Sequence, residues 1–305
     1  MWLLSDVSYN IFFNVFTQER VAAAVRKFEE LHPPATEDCP LCHEPIRPGA
    51  WVLPSLCSRG EPYTVFPCCA SIICKKCDDA RIEASKREGV DEEEATCPLC
   101  HEELPPDGSE EKKRRLMKNA EEGHVASQVH VGVCLLDLHG PCDGFEVDKK
   151  EGLKWIKLAA EQHHPMAMFM LGQYYLNGCG GILEKSPSKA LPLIEQAAKM
   201  GASQAHNLLG TMYVSGYGVK RKNESRGANH FTITYGLGIC QMASFRLGML
   251  FYSGVGGLGE NSVLAKHYLE EASMKHTIEK AYFHLGDALV DLCQEQYDGL
   301  IHIPG

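Results

Sequence analysis

Residues 166–181 read MAMFMLGQYYLNGCGG and residues 189–201 read KALPLIEQAAKMG. In the first stretch Ala167 stands four residues before Leu171-Gly172, and Gly178 closes the segment six residues later. The second spaces its apolar residues at helical intervals. The same frame recurs along the chain at Val131-Gly132, Leu171-Gly172, Leu209-Gly210, Leu247-Gly248 and Leu285-Gly286. Five residues before each glycine stand Ser127, Ala167, Ala205, Ala243 and Ala281, and Gly178, Gly216 and Gly254 recur six residues after their glycines, with Gly140 in the same series. A period of this length marks a repeat architecture. Small residues at fixed helical positions let two helices pack closely, and a glycine at the end of YLNG or YVSG suits a left-handed helix terminus. Each unit is therefore expected to be an αα-hairpin that buries its faces only by stacking on neighbours.

The fold expected is mainly α, a solenoid of αα-hairpins over 110–294 preceded by a small, loop-rich β/α domain. Four fuller repeats are expected, led by LMKNAEEG (116–123) as a second helix and trailed by a truncated unit at AYFHLGDALVDL (281–292). The third repeat carries TITYGLG (232–238), β-branched and glycine-rich, which predicts a short or strained second helix. Residues 1–36 are read as an amino-terminal helix or tail, with Val21, Val25 and Phe28 on one face, and 295–305 as a tail. HEELPPDGSEEKKRR (101–115) has the Pro, Gly and mixed charge of a linker opening into a helix, which places the linker at 104–115.

The hairpin motifs resemble the Sel1-like repeat, a relative of the tetratricopeptide repeat. That resemblance implies a scaffold that binds a protein substrate or partner and carries no chemistry of its own. His163 and His164, at a helix end, are read as solvent-facing residues that complement the helix C-terminal dipole. KRKNESR (220–226) is read as a solvated loop.

Chemistry is concentrated upstream. Nine of the fourteen cysteines lie between Cys39 and Cys100, whereas Cys134, Cys142, Cys179, Cys240 and Cys293 are scattered background. The block runs Cys39-x2-Cys42, Cys68-Cys69-x4-Cys74-x2-Cys77 and Cys97-x2-Cys100, with Cys57 left over. Two cysteines separated by two residues can turn both sulfurs to one point, and a tetrahedral zinc takes four thiolates at about 2.3 Å. Four pairs suit two zinc ions. A segment with Pro40, Pro45, Pro48, Pro54, Pro62 and Pro67 has little core, so metal must supply much of its folding energy.

The order CPLCHEP, FPCC…ICKKC, CPLCHEE resembles a RING finger over 37–103, in its all-cysteine form. The resemblance implies interleaved ligands, Cys39, Cys42, Cys74 and Cys77 on one zinc and Cys68, Cys69, Cys97 and Cys100 on the other. A PHD finger would place a His where Cys74 stands. The usual RING has Cys-x-His in its second pair, a His slot filled here by Ser71. The vicinal pair must serve instead, which requires a sharp turn, with Cys69 the firmer ligand and Cys57 in reserve. The resemblance also implies an E2 ubiquitin-conjugating enzyme as partner, contacted through Leu41, Pro98 and Leu99, with His101 where active ligases often carry Arg. The function implied is that of a RING-type E3 ubiquitin ligase, the alternative being a non-enzymatic zinc-binding adaptor.

The formal net charge of −10 and pI of about 5.8 provide no positive field for phosphate backbones, so nucleic acid is not an expected partner. MWLLSDVSYNIFFNVF lacks early Lys or Arg and interrupts its apolar run with Asp6 and Asn10, so neither a signal peptide nor a membrane span is expected. A cytoplasmic or nuclear location follows, where reduced thiols favour metal over disulfides.

Overall fold

The computed structural model describes residues 22, 26, 37–46, 63–88, 96–106, 108–136, 144–236, 241–254 and 261–274. The expected amino-terminal helix, apart from those two residues, the truncated last repeat, the carboxyl-terminal tail and Cys57 lie outside the described residues. The chain divides into two compact units, Pro34–Ala205 and His206–Gly305, the latter taken with Met1–Pro33.

The first unit begins with two small antiparallel ribbons. Strand β1 (Glu37–Asp38) pairs with β2 (Pro45–Ile46), and β3 (Tyr63–Val65) pairs with β4 (Ile72–Cys74), Tyr63 lying opposite Cys74. Helix α1 (Lys75–Glu88) follows β4 directly. Its carboxylate Asp78 accepts two hydrogen bonds from Arg81, at 2.9 and 3.1 Å, and the guanidinium lies over the Phe66 ring. Among the described residues of this region, Phe66 and Ile73 are buried beside Cys39 and Cys97.

Helices α2 (Glu110–Glu121), α3 (Val125–Leu135), α4 (Lys149–Glu161), α5 (Pro165–Asn177) and α6 (Pro187–Lys199) complete this unit, and α7 (Ser203–Ser215) starts in it. The linker ends where Ser109 caps α2, its hydroxyl accepting from the Lys112 N–H at 3.2 Å. Leu116 and Ala120 of α2 join Val131, Cys134, Leu135, Phe145 and Trp155 in one core. Cys134, read as background, is disulfide-bonded, its partner lying outside the described residues.

The second unit holds α8 (Glu224–Gly236), α9 (Gln241–Tyr252) and α10 (Ser262–Met274). Ala228, Phe231, Leu247, Leu250 and Tyr268 form its core, with Tyr235 edge-on to Tyr268 and Phe251 stacked on it. Helix α8 corrects an expectation: at 13 residues it matches α4 and α6 rather than being short. Thr232 and Thr234 turn their hydroxyls back onto the carbonyls of Ala228 and His230, each at 3.0 Å, which satisfies both hydroxyls within the helix.

The periodic glycine has a steric cause. A Cβ on Gly172 would lie 2.5 Å from Cγ1 of Ile194, and one on Gly132 would lie 2.8 Å from Cδ1 of Ile156. At Gly210 the obstacle is the Phe231 ring, and at Gly248 it is Leu269. In each repeat the first helix thus presents bare backbone to a large apolar residue of the second. The hairpin's loop is closed by a recurring backbone bond: the N–H groups of Asp148, Ser186, Asn223 and Asn261 donate to carbonyls of Leu135, Tyr175, Tyr213 and Phe251. Three of these four also cap the following helix, Asp148, Asn223 and Asn261 accepting N–H bonds through side-chain Oδ1. That series is visible in the sequence but emerges only once the cap positions are known.

Candidate metal centres and the repeat scaffold

One backbone turn is used three times. In CPLCHE (39–44) the N–H of His43 donates to the Cys39 carbonyl at 2.8 Å and that of Cys39 to the Glu44 carbonyl at 2.9 Å. CPLCHE at 97–102 repeats both bonds, His101 to Cys97 at 3.0 Å and Cys97 to Glu102 at 2.8 Å. FPCCAS (66–71) repeats them again, Ala70 to Phe66 and Phe66 to Ser71, both at 2.9 Å. The fifth residue of each turn has a positive φ: 57° at His43, 53° at Ala70 and 62° at His101. Antiparallel pairing closes each turn, β1 with β2, β3 with β4, and Thr96 with Glu103.

The register shows how adjacent cysteines come into one group. Phe66 occupies the slot of the first cysteine, Cys69 that of the second, and Cys68 the slot held by Leu41 and Leu99. The Pro-containing turn followed by a left-handed Ala70 supplies the sharp bend that vicinal ligands need. The Pro at the second position of all three turns was the available sequence signal.

The eight predicted cysteines gather into two groups. Cys39 and Cys42, from the first turn, meet Cys74 at the end of β4 and Cys77 in the first turn of α1; Cys68 and Cys69 meet Cys97 and Cys100. Within each group all sulfurs lie within 4.8 Å of one another. Individual Sγ separations are 3.6 Å for Cys42 and Cys74, 3.8 Å for Cys69 and Cys97, 4.0 Å for Cys68 and Cys69, and 3.3 Å for Cys68 and Cys100. Four thiolates on one tetrahedral zinc lie about 3.8 Å apart, so both donor sets fit such an ion.

The two groups differ in surroundings. Burial raises the Cys39 thiol pKa, but the N–H groups of Cys74, Cys42 and Leu41 outweigh it and hold the group down at about 6. The Cys74 N–H reaches that sulfur at 3.4 Å. Cys39 is fully buried, whereas Cys100 in the second group is exposed and held low chiefly by the Glu102 N–H. Burial pushes Cys68 and Cys77 up, each helped by neighbouring sulfurs that a bound cation would separate electrostatically.

The predicted contact residues ride on the same turns. Leu41 is 41% exposed, large for an apolar side chain in so small a domain, and His101 is exposed; Pro98 and Leu99 are half-buried.

His163 is exposed at the end of α4, as read, and its Nδ1 lies 3.2 Å from Gln196 Nε2. His164 departs from the reading. It is the N-cap of α5, its Nδ1 accepting from the Ala167 N–H at 3.4 Å, and burial holds its imidazole down at about 3. A neutral ring is required there, because a protonated Nδ1 cannot accept that bond. In KRKNESR, residues 220–223 are exposed, while Arg226 lies 4.3 Å over the Tyr213 ring.

With the geometry described, likeness to known proteins defines the repeat array. The Sel1 repeat model matches residues 125–164, 165–201, 203–238 and 241–276. Residues 125–276 therefore carry Sel1 repeats. A protective antigen of uropathogenic Escherichia coli strains displaying an SLR fold, c5321, is similar at a TM-score of 0.52 and 19% identity, over 70% of this chain and 42% of that one. A Sel1 repeat protein from Oxalobacter formigenes is 24% identical over 68% of this chain and 75% of its own, with a TM-score of 0.49. Chitin synthase regulatory factor 3 of Schizosaccharomyces pombe is 34% identical over 110 residues, 36% of this chain; the matched stretch spans only 12% of the yeast protein. Among the described residues no helix is long and apolar enough to cross a membrane.

Proposed function

We propose that the chain is a RING-type E3 ubiquitin ligase in which a two-zinc module engages an E2 enzyme and the Sel1 repeats hold a protein substrate or partner. The observation that carries the proposal is the interleaving: cysteines alternate by pairs between two four-sulfur groups, and an exposed Leu41 sits on the first turn. Zinc, when bound, supplies structure, fixing the turns that present Leu41, Pro98 and Leu99. Cys39, Cys42, Cys74 and Cys77 would hold one ion and Cys68, Cys69, Cys97 and Cys100 the other. No cysteine acts as nucleophile, since thiolates committed to a metal are not free to attack. The module's contribution is orientation: it holds the E2-linked ubiquitin and the substrate lysine in a reactive arrangement.

The test is autoubiquitination with a panel of E2 enzymes, beside Leu41→Ala and a Cys74→Ser control. Chains that form with the native protein and fall at least ten-fold with Leu41→Ala support the ligase. If no E2 yields chains while the folded protein binds two zinc ions, the ligase reading fails and a zinc-stabilised adaptor takes its place.

A further inference from the structure

The second metal group is connected to the repeat array by specific bonds from α2. Asn119, 7% exposed, donates from Nδ2 to the Pro67 carbonyl at 2.8 Å. Pro67 is buried and is the second residue of the turn that carries Cys68 and Cys69. One helical turn earlier, Arg115 donates to the Glu103 carbonyl at 3.1 Å and pairs with Glu102 at 3.6 Å, three and two residues past Cys100. Arg115 is itself held by Glu111 at 2.7 Å. These bonds therefore run from one helix to both turns that form the second group.

The same helix is built into the array. Leu116 and Ala120 enter the core with Val131 and Trp155, and the Asn119 carbonyl accepts the His124 N–H at 3.0 Å. The Ala120 carbonyl accepts from Gln128 Nε2 at 3.1 Å, and Gln128 Oε1 accepts from Gln162 Nε2 at 2.8 Å. An unbroken path of hydrogen bonds and covalent structure thus joins the Cys68–Cys69 turn to the end of α4. A buried amide such as Asn119 leaves its donor unsatisfied if the turn departs, at a cost that favours keeping the turn in place.

We infer that metal at the second group and the first repeat form one cooperative unit, with Asn119 the positioning residue that ties them, while metal at the first group acts on that unit more weakly, through the β3–β4 ribbon and the Arg81–Phe66 contact. The inference rests on the two-zinc part of the proposed function and not on ligase activity. Its consequence is that the turn carrying Pro98 and Leu99 has a fixed bearing on the scaffold.

The experiment is amide hydrogen exchange on the full zinc-loaded chain, with zinc counted in the same samples. Asn119→Ala is expected to keep two zinc ions while amides of α2 exchange about ten-fold faster. Cys100→Ser should bind one ion and loosen α2 similarly, and Cys77→Ser should bind one ion and loosen α2 distinctly less. Arg115→Ala, a partly exposed substitution, guards against a misfolded Asn119 variant and should accelerate α2 exchange about three-fold. Unchanged α2 exchange in both Asn119→Ala and Arg115→Ala, or equal loosening by Cys77→Ser and Cys100→Ser, overturns the inference. One zinc per native chain would instead sink the two-site reading beneath it.

Discussion

The cysteine module and the Sel1 array are both made by repetition, three copies of one turn in the first and a recurring hairpin in the second, yet they tolerate change in opposite places. In the module the backbone is the constant: the same two hydrogen bonds and the same left-handed fifth residue recur while the first slot changes from Cys to Phe66 and the third from Leu to Cys68. A metal needs four sulfurs at one point and is indifferent to which slot each comes from. In the array the side-chain size is the constant, because Gly132, Gly172, Gly210 and Gly248 each lie where the partner helix brings Ile156, Ile194, Phe231 or Leu269 against bare backbone. Repetition constrains whatever is closest to the contact that holds the unit together.

Metal removal has the largest expected effect on this contrast. Structural zinc contributes about 10 to 16 kcal/mol of apparent binding energy per site in small domains. A strong chelator should therefore make the chain cleavable throughout 37–104 in limited proteolysis, while most of the helical circular dichroism from the array persists. Retained resistance of 37–104 in the zinc-free protein would show that Phe66 and Ile73 suffice as a core.

Next comes Gly210→Val. The added side chain meets the Phe231 ring, which is buried and has nowhere to retreat, so overpacking is expected to cost about 3 kcal/mol. Urea unfolding of the array should register that loss, with the metal content of the cysteine module the same as in the native protein. A neutral result would mean that the helices separate easily and that the periodic glycine has some other cause.

The same contrast explains what could be read in advance. Periodicity made the array legible, since glycines recurring at a fixed interval report a contact made in every repeat. The gathering of eight cysteines into two groups followed the interleaved order that the RING resemblance implies, with both members of each pair going to the same group. The turn register of FPCCAS was harder: counting cysteines hides that Phe66 stands in a ligand's place. The full length of α8 was not legible from propensity, because the packing of Ala228 and Phe231 into the core overrides the β-branched run. Asn119 carried no signal at all, being one amide in a charged helix whose partner lies 52 residues away.

A smaller effect concerns pH in the first unit. His164 is held near a pKa of about 3 by burial, against about 6.5 in an unfolded chain. Between these values the unfolded chain binds a proton that the folded chain excludes, so the stability is intact above pH 6.5 and falls as pH drops below it. The slope is at most about 1.4 kcal/mol per pH unit, or about 2 kcal/mol from pH 6.5 to 5. His230, held down at about 4 by burial and by Arg226, acts with the same sign in the second unit. Thermal unfolding of His164→Asn, which preserves a capping side chain, should lose part of this acid sensitivity; an unchanged pH profile would remove His164 from the account.

The smallest effect tests the array's own turn. Gly123, His163 and Gly201 occupy one position, just after α2, α4 and α6, with φ of 97°, 60° and 90°. Each N–H there donates to an alanine carbonyl three residues back, Ala120, Ala160 or Ala198. A left-handed conformation costs a residue with a Cβ about 1 to 2 kcal/mol, partly offset by the lower chain entropy of a non-glycine residue when unfolded. His163→Gly should therefore stabilise by up to about 1 kcal/mol, raising Tm by about 2 to 4 °C in a unit of this size, despite the exposed contact with Gln196 that it gives up. The converse, Gly123→His, should lower Tm by a similar amount, and a Cβ at Gly123 meets nothing within 4 Å, so any loss would come from the backbone alone. If both substitutions leave Tm where it was, the turn is held by its hydrogen bonds and not by glycine, and the array would share the module's indifference to which side chain fills a slot.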